Sequence, residues 1–239
     1  KHNTRPDCSF FLFRQSGSSI DLILLLLIPT KPMIDVTKHG VILEKTDFGF
    51  ENEGVLNPAA IREGDVVHLF YLAVRKGNYS TIGYCRLEGP LEVVERFDMP
   101  VLFPQANYEV HGVEDPRIAK IDEVYYLTYT AYDGVNALGA YATACTLPHF
   151  EKKGILTAQI TYEDFRRLAE SKSKVNNKYL RYNGHPTLYD NANKKTLVWD
   201  KNIVFFPRRI NHKLHFLHRI KPDIQLVAVD NLDELTSVY

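Results

Sequence analysis

The densest group of reactive side chains is the run Glu109-Val-His-Gly-Val-Glu-Asp-Pro-Arg117. Two adjacent carboxylates, Glu114 and Asp115, are followed by Pro116 and Arg117, and Gly112 allows a turn ahead of them. Proline biases the residue before it toward extended backbone, so Glu114 and Asp115 are expected to project in opposite directions. One acid can then face a cavity while the other pairs with arginine. The same spacing also fits a turn closed by a surface Asp115–Arg117 ion pair.

Other side chains offer recognition rather than proton transfer. His212, His215 and His218 invite a metal reading, but in a strand the period of two sets His215 on the face opposite the other two, so no metal site is expected. His218 and Arg219, adjacent at a strand end, read as an anion-recognition pair or as an edge histidine beside a solvated arginine. The strand Tyr125–Tyr132 sets Tyr125, Leu127 and Tyr129 on one face and Tyr126, Thr128, Thr130 and Tyr132 on the other. This second, polar-aromatic face serves as a sugar platform or as packing between blades. Asn57, in Asn57-Pro-Ala, is either part of a plain turn or placed to bind a hydroxyl. No GxGxxG, GxxxxGK[ST] or GxSxG motif is present, which removes the main sequence support for nucleotide-dependent and serine-hydrolase chemistry.

Composition narrows the partners. The chain has 239 residues, 45% of them hydrophobic, which is ample for a buried core. Its 29 Lys and Arg balance 29 Asp and Glu, so no overall field favours nucleic acid or an anionic membrane. Cys8, Cys85 and Cys145 have neither CxxC nor disulfide-framework spacing, and a reducing, cytoplasmic compartment is expected. The apolar run Leu22–Ile28 is too short for a bilayer, which takes about 20 residues. No small-x-small cleavage site follows it, so residues 1–35 are read as an extension outside the fold.

These side chains must be positioned by short strands. Asp65–Tyr71 and Ser80–Cys85 flank Gly77-Asn78; Val124–Tyr132 and Leu138–Ala144 flank Asp133-Gly134; a third copy comprises Ile203-Val-Phe-Phe, Lys213–His218 and Ile224–Val229. A recurring strand-turn-strand unit cannot bury its faces alone, and the recurrence points to an all-β propeller over residues 36–239. The pattern breaks at about 157–196, where Thr161-Tyr-Glu-Asp164 reads as a capping box ahead of a helix with Phe165, Leu168 and Ala169 on one side. Arg166, Arg167, Lys172, Lys174, Lys178 and Arg181 make this insertion basic, but without interleaved aromatic residues it reads as a solvated face rather than an RNA site. Outside the extension and the insertion, about 165 residues remain, enough for three to four blades of about 45 residues. An edge left open would favour self-association into a homo-oligomer.

Taken in order, Asn57-Pro-Ala, Asn78-Tyr-Ser-Thr-Ile-Gly-Tyr84, Gly112-Val-Glu-Asp-Pro-Arg117, Tyr126-Leu-Thr-Tyr-Thr-Ala-Tyr132, Phe206-Pro and Leu217-His-Arg219 resemble glycoside hydrolase family 130. The resemblance implies a five-bladed β-propeller that cleaves β-mannosides with inversion, chiefly by phosphorolysis to mannose 1-phosphate. It implies inorganic phosphate as co-substrate, no cofactor and no metal. Asp115 matches the family's proton donor, thought to act through the 3-hydroxyl of the bound mannose. Asn57, Ser80, Glu114, Tyr129 and Lys201 fall in substrate-binding stretches, Arg117 is expected to orient Asp115, and His218 with Arg219 matches the phosphate region. Two positions differ from the family pattern: Leu72 replaces an arginine and Asn202 replaces an aspartate. An inverting β-mannosidase and a catalytically impaired propeller that binds glycans or proteins stay open as alternatives.

Overall fold

The computed structural model describes residues 36–172, 178 and 195–236. The expectations for residues 1–35, and for the insertion over 173–177 and 179–194, lie outside the described residues. The compact unit spans Val41–Tyr239. Among the described residues eleven strands form one continuous hydrogen-bonded sheet, in three successive antiparallel meanders.

The first blade comprises β1 (Gly54–Glu63), β2 (Val66–Arg75), β3 (Tyr79–Glu88) and β4 (Glu92–Arg96). The second comprises β5 (Gly112–Ile121), β6 (Val124–Tyr132), β7 (Ala137–Ala144) and β8 (Glu151–Ile155). The third begins with β9 (Asp200–Phe205), β10 (Leu214–Ile220) and β11 (Gln225–Val229). The blades are joined by single parallel bridges, Ser80 with Gly112 and Leu138 with Asp200. The first strands β1, β5 and β9 contact one another in turn. They are therefore the innermost strands, and β4 and β8 the outermost, as in a propeller.

Apolar side chains explain why the blades stack. Phe70, Ile82 and Tyr84 of the first blade meet Val113, Leu127, Ala131 and Ala140 of the second in one buried cluster. Ala119 and Ile121 of the second meet Ile203, Phe205, Leu214 and Phe216 of the third in another. Each blade buries a face that it cannot cover with its own strands. Close approach is built in at Gly139, where a Cβ would come within 2.4 Å of the Ile203 side chain. The Thr128 hydroxyl, buried between blades, donates to the Ile203 carbonyl at 2.6 Å.

Helix α1 (Tyr162–Lys172) occupies the insertion, and α2 (Asp233–Thr236) follows β11. The Thr161 hydroxyl accepts from the Asp164 backbone N–H at 3.1 Å, which is the expected cap. The Asp164 carboxylate accepts the Thr161 hydroxyl hydrogen instead of reaching only to the backbone. Leu168, expected on the packed side with Phe165 and Ala169, is exposed. No helix among the described residues is long and apolar enough to cross a membrane.

Candidate active site

Three positive-φ residues stand at matching places on the innermost strands: Asn57 (φ 47°), Asp115 (φ 51°) and Asn202 (φ 59°). The ladder explains them. Leu56 pairs with Leu72 and Ala59 with Phe70, so Asn57 and Pro58 together face Tyr71. Glu114 pairs with Thr130 and Arg117 with Thr128, so Asp115 and Pro116 face Tyr129. Lys201 pairs with Arg219 and Val204 with Leu217, so Asn202 and Ile203 face His218. Two residues against one is a β-bulge, and its left-handed residue suits Asn and Asp, the non-glycine residues that tolerate this backbone best.

This corrects the expected extended geometry at Asp115. Proline disfavours right-handed helical backbone at the preceding residue but leaves the left-handed region open to aspartate. The bulge turns the half-buried Asp115 carboxylate toward the first blade, where Asn57 Nδ2 donates to Oδ1 at 2.6 Å. Arg117 does not hold it. Among the described residues no ion pair joins the two, and Arg117 Nη1 donates to the Pro116 carbonyl at 2.6 Å.

Glu114, the neighbouring acid, is held separately. Ser80 Oγ donates to Glu114 Oε1 at 3.2 Å. The two strands come close there because residue 112 is glycine; a Cβ at Gly112 would meet Ser80 Oγ at 1.9 Å. Burial pushes the Glu114 carboxyl above its ordinary pKa, and the Asp115 charge adds to the rise. The Lys201 ammonium and the Ser80 hydrogen bond oppose it, and His111 acts in the same sense. Lys201 lies over the Trp199 ring, 5.9 Å from its centroid. Asn57, Ser80, Glu114, Asp115 and Lys201 are thus connected, directly or through charge, across three blades.

Two other expected site residues, Tyr129 and His218, stand apart, whereas Arg219 is in register with Lys201. Tyr129 is 2% exposed, within the cluster between the first two blades, with the Lys152 ammonium 5.5 Å from its ring centroid. It packs behind the bulge, because its face of β6 points into the neighbouring blade, and so offers almost no surface for the substrate contact expected of it. His218 and Arg219 do not form a pair, since adjacent strand residues face opposite sides. His218 Nδ1 lies 2.7 Å from the buried Asp200 carboxylate. Arg219 stands across from Lys201, and its Nε is buried without a hydrogen-bond partner. His212 lies outside β10 in a left-handed turn with Asn211, and His215 accompanies His218 on β10.

Sequence reasoning missed all three bulges, the buried Asp200 and the acids Glu51 and Glu109, both fully buried. A usable signal existed: Asn57-Pro58 and Asp115-Pro116 repeat one dipeptide type six residues after Glu51 and Glu109. A surface groove lined by Phe97, Met99, Pro100, Val101, Pro148 and Phe150 shares no residue with this group.

The arrangement provides one accessible carboxylic acid oriented by an amide, a second acid of raised pKa, and basic groups on the third blade. It fits delivery of a proton on one side and attraction of an anion on another. The chain is 29% identical over 203 residues to a 1,2-β-oligomannan phosphorylase of Thermoanaerobacter sp., covering 80% of this chain and 55% of that protein. It is 32% identical over 188 residues to a β-1,2-mannobiose phosphorylase of the same organism, covering 73% and 50%. The chain thus spans about half the length of the curated relatives it matches. A solved structure is described as coming from family 130 mannoside phosphorylases, which contain glycoside hydrolases that target β-1,2-mannosidic linkages in Candida mannan. It shares the fold with a TM-score of 0.59 at 18% identity, over 80% of this chain and 54% of that one. Residues 29–199 match the family model described as β-1,4-mannooligosaccharide phosphorylase, and the chain belongs to glycoside hydrolase family 130.

Proposed function

We propose that this protein cleaves β-linked mannooligosaccharides by phosphorolysis with inversion, releasing mannose 1-phosphate. The observation that carries the reading is the Asp115 carboxylate, turned out of the innermost strand by its bulge and fixed by Asn57 at 2.6 Å. With Oδ1 occupied by the amide, Oδ2 is the oxygen that carries the proton. In an inverting reaction this acid assists departure of the leaving sugar while the nucleophile attacks the other side of the ring. The family resemblance adds that the proton travels through the 3-hydroxyl of the mannose.

Phosphate needs cations to hold it and no strong base. Lys201 and Arg219, facing each other across β9 and β10, supply two. Hydrolysis would instead need a second carboxylate to activate water, and the third bulge carries the amide Asn202 in that class of position. The curated relatives are named for β-1,2-linked substrates, and that linkage is the one proposed. The partner is a small oligosaccharide, with inorganic phosphate as co-substrate and no cofactor.

The test is incubation with β-1,2- and β-1,4-mannobiose, with and without phosphate. Mannose 1-phosphate formed from the β-1,2 substrate only when phosphate is present supports the reading. Free mannose formed equally without phosphate assigns hydrolysis, and binding without turnover in either condition assigns a glycan-binding propeller.

A further inference from the structure

Behind each bulge of the two complete blades lies a buried acid with the same companions. In the first blade Glu51 is fully buried; Tyr71 Oη donates to Oε2 at 2.8 Å, and Arg96 Nη2 lies 2.8 Å from Oε1. In the second, Glu109 is fully buried; Lys152 Nζ lies 2.5 Å from Oε1, which also accepts the backbone N–H groups of Gln105 at 2.9 Å and Ala106 at 3.2 Å. The correspondence is positional. Each acid precedes its innermost strand by three residues, each tyrosine is the residue facing the bulge, and each cation sits on the outermost strand. Arg96 and Lys152 lie over the tyrosine rings at 5.4 and 5.5 Å from the centroids. The third blade keeps the theme in another form, with His218 facing the bulge and bound to buried Asp200.

A buried carboxylate is costly unless it is paired and hydrogen-bonded, so one copy could be an accident of packing. Two copies with acid, ring and cation in register, both aimed at the residue that opposes a bulge, are a device. We propose that Glu109, Tyr129 and Lys152 anchor the second-blade bulge and thereby position Asp115, as Glu51, Tyr71 and Arg96 anchor the first and position Asn57. These are positioning residues: they act through the backbone and touch no substrate. The catalytic part of the inference rests on Asp115 being the acid; the mechanical part does not.

The experiment compares Lys152→Met with Arg96→Met. Amide hydrogen exchange is followed over residues 56–60 and 114–118, with no substrate present. Lys152→Met is expected to speed exchange at the second bulge and Arg96→Met at the first; equal changes at both bulges, or at neither, overturn the anchor. In steady-state phosphorolysis Lys152→Met is expected to lower kcat about 10- to 100-fold with KM changed less, as for a misplaced catalytic group. Lys152→Arg, which copies the first blade, is expected to restore it. A Lys152→Met protein that loosens the second bulge yet keeps wild-type kcat overturns the positioning role. If the wild-type chain itself shows no turnover, the functional reading fails and the exchange data alone decide the anchor. Glu109→Gln takes the place of Lys152→Met if that variant does not fold.

Discussion

The first and second blades share strand order, register shift, bulge and buried anchor, yet only the second carries an acid at the bulge. Asn57 and Asp115 occupy equivalent backbone, at φ 47° and 51°, and differ by one amide. Before them stand Leu56, 45% exposed, and Glu114, held by Ser80. The lesson is that the repeated bulge is scaffold. It turns a side chain out of the innermost strand in each blade, and the identity of that side chain decides which blade presents an amide and which an acid.

Making the blades alike should therefore cost most. Asp115→Asn gives the second bulge the first blade's residue and is expected to lower kcat about 10²- to 10⁴-fold with the fold retained, as measured by mannose 1-phosphate release. Next, cutting the link between the blades by Asn57→Ala frees Oδ1 of Asp115; kcat is expected to fall about 10-fold or more. A wild-type rate in that variant would separate the two bulges functionally.

A third difference concerns stability. The Tyr71 hydroxyl donates to Glu51 at 2.8 Å, whereas the Tyr129 hydroxyl approaches Glu109 without completing a well-formed hydrogen bond, and burial and then the Glu109 charge push the tyrosine's pKa up. Tyr71→Phe should cost about 1–3 kcal/mol, because the buried Glu51 loses a donor, while Tyr129→Phe should be close to neutral. Urea unfolding of the two variants measures the contrast.

The smallest effect is a slope. Glu114 has a raised pKa in the folded state, so between its ordinary 4.5 and the folded value the folded chain binds more protons than the unfolded one. Its contribution is fully present below that window and is lost as pH rises through it. Glu114→Gln should remove this fall from a plot of Tm against pH, with a change in the opposite sense contradicting the assignment.

The comparison also shows what was legible from sequence. The strand pairs around Gly77-Asn78 and Asp133-Gly134 were visible because turn residues and β-branched or aromatic runs mark them locally. Asp115 was visible because it stands beside Glu114 and near Arg117 in the densest run of reactive side chains. Its backbone was not: the proline rule forecasts extended geometry, and only the pairing of β5 with β6 on one side reveals that two residues must share one partner. The same bulge removed the Asp115–Arg117 pair. Tyr129 has a ring and hydroxyl suited to sugar contact, but both faces of β6 meet a neighbouring blade through contacts far away in sequence. His218 and Arg219 were adjacent letters that strand geometry sends to opposite sides. Glu51 drew no notice and Glu109 was only the first letter of the reactive run, since nothing near them announces the distant cations on β4 and β8 that make their burial tolerable.

The central claim is that a mannose unit sits against Asp115. A crystal structure of Asp115→Asn with β-1,2-mannobiose and phosphate tests it most directly. The account predicts a sugar hydroxyl within about 2.6–3.2 Å of the residue 115 side chain, with the anion beside Lys201 and Arg219. A disaccharide bound elsewhere, with the innermost strands bare, would contradict it.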